Sequence, residues 1–265
     1  MRLNPTTPAS AGIPCARLPA ATARIEDLHV RLPTVLTSIH KWIGVVIGIQ
    51  VLLWVAGGLV MSAFPIELVR GETRSAQIEP GPVRADEFAV DLRETIAVHG
   101  PVTVLRSLRI AGRLYFEGQR KDAPALLIDA RDGRVLAGID EAVAREVASR
   151  DFTGAGDIVA ALLISERLSE YRGPLPVWQI RFDDARETTL YVSAANGQVV
   201  ARRNDIWRLY DFFWMLHIMD YRERVDFNHG LLIGASAIAL VLSATGFWLL
   251  FYRVRLRRLT RSESK

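Results

Sequence analysis

Cysteine is almost absent from this chain of 265 residues: Cys15 stands alone. One thiol cannot close a disulfide within the chain, and no Cys-x-x-Cys motif exists for redox exchange or metal binding. Acidic and basic residues are missing from two long stretches, Trp42 to Phe64 and Gly230 to Tyr252. The sequence also lacks a Gly-x-Gly-x-x-Gly turn, a phosphate-binding loop and a His-Glu-x-x-His pair. The dinucleotide, nucleotide and zinc-peptidase chemistries those motifs carry are set aside with them. No basic stripe runs through the middle of the chain, so the net charge of +4 does not point to nucleic acid.

The two uncharged stretches are the most informative feature present. Each is about 23 residues long, and about 20 apolar residues at 1.5 Å rise cross a bilayer. In a soluble protein such a helix must be buried on every side, and a chain with 23% charged residues has little room to hide two. Two transmembrane helices are therefore expected. Arg17, Arg24, Arg31 and Lys41 precede the first run; Arg253, Arg255, Arg257, Arg258, Arg261 and Lys265 follow the second. The ends that face the middle carry Arg70 and Arg74, and Arg222 and Arg224 diluted by Glu223 and Asp226. That bias puts both termini in the cytoplasm and the middle in a bacterial periplasm. The basic tails then face anionic lipid. The first run starts too late and is too long for a signal peptide, and Ser62-Ala63-Phe64-Pro65 is a poor cleavage site.

The middle repeats itself. Leu126 to Ala137 aligns without a gap on Leu190 to Ala201, at an offset of 64 residues. Each stretch reads strand, tight turn, strand, with Asp132-Gly133 or Asn196-Gly197 in the turn. Such dipeptides tolerate the positive φ that a two-residue hairpin needs. Upstream, Arg113 to Glu117 and Val177 to Phe182 alternate apolar and polar as half-buried strands do. A helix is expected before each set: Asp86 to Val98, with Phe88, Leu92 and Ile96 at helical spacing, and Ile158 to Leu168 after a shorter helix over Glu141 to Arg150. The expected unit is helix plus three antiparallel strands, present twice, a small α+β layer structure. Asp183 and Asp184, adjacent in a turn, point apart and read as a solvated turn.

The expected fold class is thus membrane α+β. It has a flexible cytoplasmic tail (1–35), a first span (36–65), two periplasmic units (66–140 and 141–204), an aromatic interfacial segment (205–227), a second span (228–253) and a basic tail (254–265).

Several motifs carry a family resemblance. His40-Lys41-Trp42-Ile43-Gly44 resembles the His-Lys/Arg-Trp-x-Gly opening of PepSY-associated transmembrane proteins. Leu190 to Val199 resembles the terminal hairpin of PepSY domains. Trp214-Met215-Leu216-His217 and Ala244-Thr245-Gly246-Phe247-Trp248-Leu249 are similar to the closing Leu-His and Ser/Thr-Gly-x-x-Leu-Trp patterns of the same family. The resemblance covers about residues 36 to 255. Larger members have four spans, and several resemble ferric-siderophore reductases that carry haem between His ligands. The resemblance therefore implies a haem b-associated or electron-relaying component of periplasmic reduction of ferric chelates.

Five histidines bear on that chemistry, of which His29 and His99 read as exposed. His40, His217 and His229 all fall at expected membrane boundaries and are the candidate haem ligands. The alternative for each is plain interfacial anchoring. His40 begins the first span on the cytoplasmic side, whereas His217 and His229 precede the second on the periplasmic side. About 30 Å of hydrocarbon separates the two faces, so a bis-His site within one chain pairs His217 with His229. The aromatic run Asp205 to Met219 reads as a helix lying in the interface, and the turn Asp220 to Arg224 folds the chain back toward His229. Gln50 is a polar residue inside a span, and the spans are rich in small residues, which together suggest self-association or docking on a second membrane protein. Two functions stay open: the redox component, and a non-enzymatic periplasmic module that binds partners or regulates a peptidase.

Overall fold

The computed structural model describes residues 23–76 and 81–262, with side chains described within 41–251. The chain divides into two compact units, Met1–Gln50 with Ile238–Lys265, and Val51–Ala237.

The first unit holds the N-terminal part of helix α1 (Ala23–Ala63) and the C-terminal part of α6 (Gly230–Ser262). Helix α1 begins at Ala23, so it reaches into the stretch read as a flexible tail; residues 1–22 lie outside the described residues. The sequence explains the early start: Ile25, Leu28, Leu32, Leu36 and Ile39 recur at helical spacing. Lys41–Ala63 and Gly230–Trp248 are long and apolar enough to cross a membrane. Only 11% and 6% of their apolar windows are buried. Trp42 is 69% exposed and Phe247 75%. Gln50 is an exception and is buried.

The second unit contains two four-stranded antiparallel sheets. Sheet 1 is β1 (Val104–Ile110), β2 (Arg113–Gln119), β3 (Leu126–Asp129) and β4 (Val135–Leu136), in that order. Sheet 2 is β5 (Ile158–Ile164), β6 (Val177–Phe182), β7 (Thr189–Ser193) and β8 (Val199–Arg203), also in order. The 64-residue offset holds down to single hydrogen bonds. Gly133 N–H donates to Asp129 O and Gly197 N–H to Ser193 O; Arg134 N–H donates to Asp132 Oδ1 and Gln198 N–H to Asn196 Oδ1. Both turn glycines have the left-handed φ expected of them, 72° and 67°.

Two expectations are corrected. Each repeat has four strands, not three, because Val104–Ile110 and Ile158–Ile164 are strands. The second had been read as a helix. Its run of seven apolar residues has no period to distinguish the two, and Ile158, Val159 and Ile164 are β-branched. The offset breaks at this hairpin: Ala111-Gly112 links β1 to β2, while residues 165–176 link β5 to β6. The first repeat's helix, α3 (Leu92–His99), also starts later than expected. Asp91 caps it, its carboxylate accepting from Arg93 N–H and Glu94 N–H, which leaves Phe88 outside to pack edge-on against Phe116.

Helix α4 (Glu141–Asp151), capped by Asp140, is the centre of the body. Val143 and Val147 pack with Ile139 on one face of sheet 1, against Leu108, Ile110, Tyr115 and Leu127. Ala144 and Ala148, both fully buried, face sheet 2 at Ile180, Phe182, Leu190 and Val192. Only alanines let a helix approach one sheet this closely while larger side chains fill the gap to the other. The far face of sheet 1 (Leu114, Phe116, Leu126, Ile128) is closed by Val90, Leu92 and Val102. The layers are therefore α3, sheet 1, α4, sheet 2. Polar contacts tie the repeats together: Asn196 Nδ2 donates to the buried Glu117 (3.0 Å), and Trp178 Nε1 to Ile139 O (3.1 Å).

Candidate functional site

Two places carry chemistry beyond packing. The first is the end of α5 (Asp205–Ile218), a helix where one was expected, capped by Asn204 Oδ1 on Trp207 N–H. Here Trp54 Nε1 donates to His217 O at 2.8 Å, and the Trp54 and His217 rings lie 6.5 Å apart. His217 lies against Gly57 of α1, where a Cβ would make only ordinary contact, 3.7 Å from His217 Nδ1. That Nδ1 is buried and has no hydrogen-bond partner among the described residues. An unpaired buried nitrogen costs about 1–3 kcal/mol, so its presence asks for a reason.

The chain does fold back after α5. Asp220 carries the turn, its carboxylate accepting from the N–H groups of Arg222, Glu223, Val225 and Asp226. Partial burial opposes ionisation, but these four backbone donors hold the carboxyl down at about 2. Trp214 Nε1 donates to Arg224 O, and Arg224 pairs with the buried Asp211. His229 then returns to α5, with Nε2 2.9 Å from Ile218 O and Nδ1 3.4 Å from Leu232 N–H. Both ring nitrogens are thereby engaged, one holding α5 and the other starting α6. His229 reaches the residue next to His217 but has no nitrogen free for iron. The residues present fit a bis-His haem poorly; His217 alone keeps a free, buried nitrogen. The side chain of His40 lies outside the described residues, and among those described no three His, Cys, Asp or Glu gather as a metal site.

The second place is the outer face of sheet 2. Strand alternation puts Gln179 and Arg181 of β6, and Thr189 and Tyr191 of β7, on the face away from α4. One half of this face is covered: Tyr171 stacks on Tyr191 (4.8 Å, 11°) among Leu168, Val177 and Leu175. The other half is a cleft of about 360 Å³, continuous through Arg181, Glu187, Thr189 and Arg208 with a neighbouring hollow of about 310 Å³. Arg208 is spent. It forks onto Glu170 at 2.8 and 3.3 Å, and lies 3.8 Å from Glu187. Arg181 is exposed, and its guanidinium has no ion pair or hydrogen bond among the described residues. Burial raises the pKa of Tyr191, so its hydroxyl stays protonated; it accepts from Gln179 Nε2 at 3.0 Å beneath the Tyr171 ring.

The sequence reading did not single out these cleft residues. The signal was present in the polar Gln179 and Arg181 alternating with the core residues Trp178, Ile180 and Phe182, but any solvated strand shows the same alternation. Asp183 and Asp184 do point apart and Asp183 is exposed as expected, but Asp184 is not solvated. Asp184 is buried and receives Thr188 N–H, Thr188 Oγ1 and Arg74 at 2.7, 2.9 and 2.6 Å. Arg74 lies just beyond α2 (Ile66–Val69), the short helix after α1, and this distant partner draws Asp184 into a half-buried ion pair.

Neither a curated protein nor a solved structure matches the chain. Residues 138–203 match the family model described as peptidase propeptide and YPEB domain, so a PepSY domain is present, running from the residues before α4 to the end of β8.

Proposed function

We propose that this chain is a membrane-anchored binding module, non-enzymatic in itself, that holds a peptide carboxylate in the cleft of its PepSY domain. It sits in a bacterial inner membrane with both termini cytoplasmic and residues 66–227 periplasmic. A role in regulating a peptidase fits this reading, since the matched family is described by peptidase propeptides. The observation that carries it is Arg181, an unspent guanidinium in a cleft whose other arginine is already neutralised. At an exposed arginine a guanidinium–carboxylate pair is worth up to about 1 kcal/mol, or roughly fivefold in affinity. The test is calorimetric titration of the full chain in nanodiscs with tetra-alanine, as the free acid and as the C-terminal amide. The free acid should bind about fivefold more tightly, and Arg181→Gln should remove the difference. Equal binding of the two peptides, or binding of neither, overturns the reading.

The buried, unpaired Nδ1 of His217 favours a second reading: a haem-linked component of ferric chelate reduction. Haem would supply one-electron transfer, and His217 would be its axial ligand, the second coming from a partner or an unlike residue. The purified chain from haem-replete cells should then show a Soret band that His217→Ala alters. A colourless protein refutes this second reading and leaves the first untouched.

A further inference from the structure

Helix α5 runs along α1 and not across it. Asn204 Nδ2, at its start, donates to Leu68 O of α2 at 3.1 Å. Phe213 O lies against Gly57, where a Cβ would sit 3.5 Å from it, and Trp54 Nε1 donates to His217 O. Residues later in α5 thus meet residues earlier in α1, so the two lie side by side in opposite directions. Trp54 is nine residues before Ala63, where the apolar stretch Lys41–Ala63 ends. At about 1.5 Å per residue that is about 14 Å, close to half of the roughly 30 Å of hydrocarbon in a bilayer.

The two sides of α5 differ in the way such a position demands. Its exposed side shows Leu209 and Phe212, the latter 48% exposed, and this part of α1 shows Val55 and Leu59, the latter 70% exposed. Between Leu209 and Ile218 the one acid or base besides His217 is Asp211, which is buried and paired with Arg224. Asp211, Trp214 and Ile218 recur at helical spacing on the side away from Leu209 and Phe212, and they hold the returning chain through Arg224 and His229. That chain is polar, with Arg222, Glu223 and Asp226 exposed around a hollow of about 410 Å³. Unpaired charge is expelled from hydrocarbon, and irregular backbone reaches membrane depth only where it lines water or protein. We propose that α5 is a re-entrant helix. It enters the outer half of the bilayer beside α1, with lipid acyl chains against Val55, Leu59, Leu209 and Phe212 and a water-filled hollow behind it. Lipid is the occupant of the apolar side because that side continues the span itself, which carries no charge from Trp42 to Phe64. This placement rests on the anchored reading above, which makes α1 a span.

The experiment places single nitroxide labels on the full chain with Cys15→Ser, purified into nanodiscs. The sites are Leu59→Cys, Phe212→Cys, Glu223→Cys and, as a control exposed on α3, Val98→Cys. Collisions with oxygen, which enters lipid, are compared with collisions with a polar nickel chelate, which does not. The labels at 59 and 212 should lose the nickel collisions and keep those with oxygen; the label at 223 should meet nickel as the control does. Leu209→Cys takes the place of Phe212→Cys should that variant fail to fold. A label at 212 that nickel reaches as freely as the control puts α5 outside the bilayer and overturns the proposal. One that neither reagent reaches shows protein on this face and overturns it too, as does a label at 223 that nickel cannot reach. Carbonate extraction separates the two readings. Loss of the chain from washed membranes overturns the anchoring itself; chain that stays while the label at 212 meets nickel overturns the re-entrant helix alone.

Discussion

Gly197 does two things at one Cα. Its φ of 67° closes the β7–β8 hairpin, and its missing side chain lets the turn rest on sheet 1, where a Cβ would lie 2.6 Å from Ile110 Cγ2. Gly133, its counterpart, has the same φ requirement but a looser neighbour, Val90 Cγ2 at 3.0 Å. Gly197→Ala should therefore destabilise the body by about 2–3 kcal/mol and Gly133→Ala by about 1–2, read as a shift in the denaturation midpoint of detergent-solubilised chain. Equal effects would show that the contact with Ile110 yields freely. The turn itself was legible from Asn-Gly; the contact was not, because Ile110 lies on a strand the sequence reading did not assign. His217 was legible as a residue of interest by type and place. That its Nδ1 is left unpaired, and that His229 has no nitrogen to spare, depends on backbone carbonyls that no motif records.

At the scale of elements, the loop between α5 and α6 is organised by one side chain. The Asp220 carboxyl is depressed, so its contribution to order is complete above the unfolded value of 3.8 and is lost as pH falls through about 2. Asp220→Asn should imitate that loss at neutral pH: the Val225 and Asp226 amides should exchange with solvent about tenfold faster, by hydrogen-exchange mass spectrometry, while those of α4 keep their protection. Helices and hairpins with a cap or a turn dipeptide were readable here: Glu141 to Arg150 was placed to within a residue, and β6 at both ends. Elements without punctuation were not. Strand β5 is apolar on both sides, which gives neither helical nor strand periodicity, and only its pairing with β6 decides it.

For the whole molecule, the basic tails and the exposed apolar helices lead to one expectation about orientation. A reporter active only in the cytoplasm, fused after Lys265, should work, and the same reporter inserted at residue 98, 72% exposed on α3, should fail. The reverse pattern would invert the protein and remove the cleft from the periplasm. The repeat was legible because its second hairpin is gapless; its first hairpin hides behind the longer 165–176 link, and so the four-stranded sheets emerged only in three dimensions. Helix α4 has a further consequence. Serving as the floor of one sheet and the roof of the next, it mortices the two repeats into one block. Proteins that seize ligands between paired lobes do so by swinging them on a hinge, and this body has none to swing. Whatever the cleft grips, it must grip with the 165–176 link and the side chains around it, and the block must meet its partner as a fixed shape.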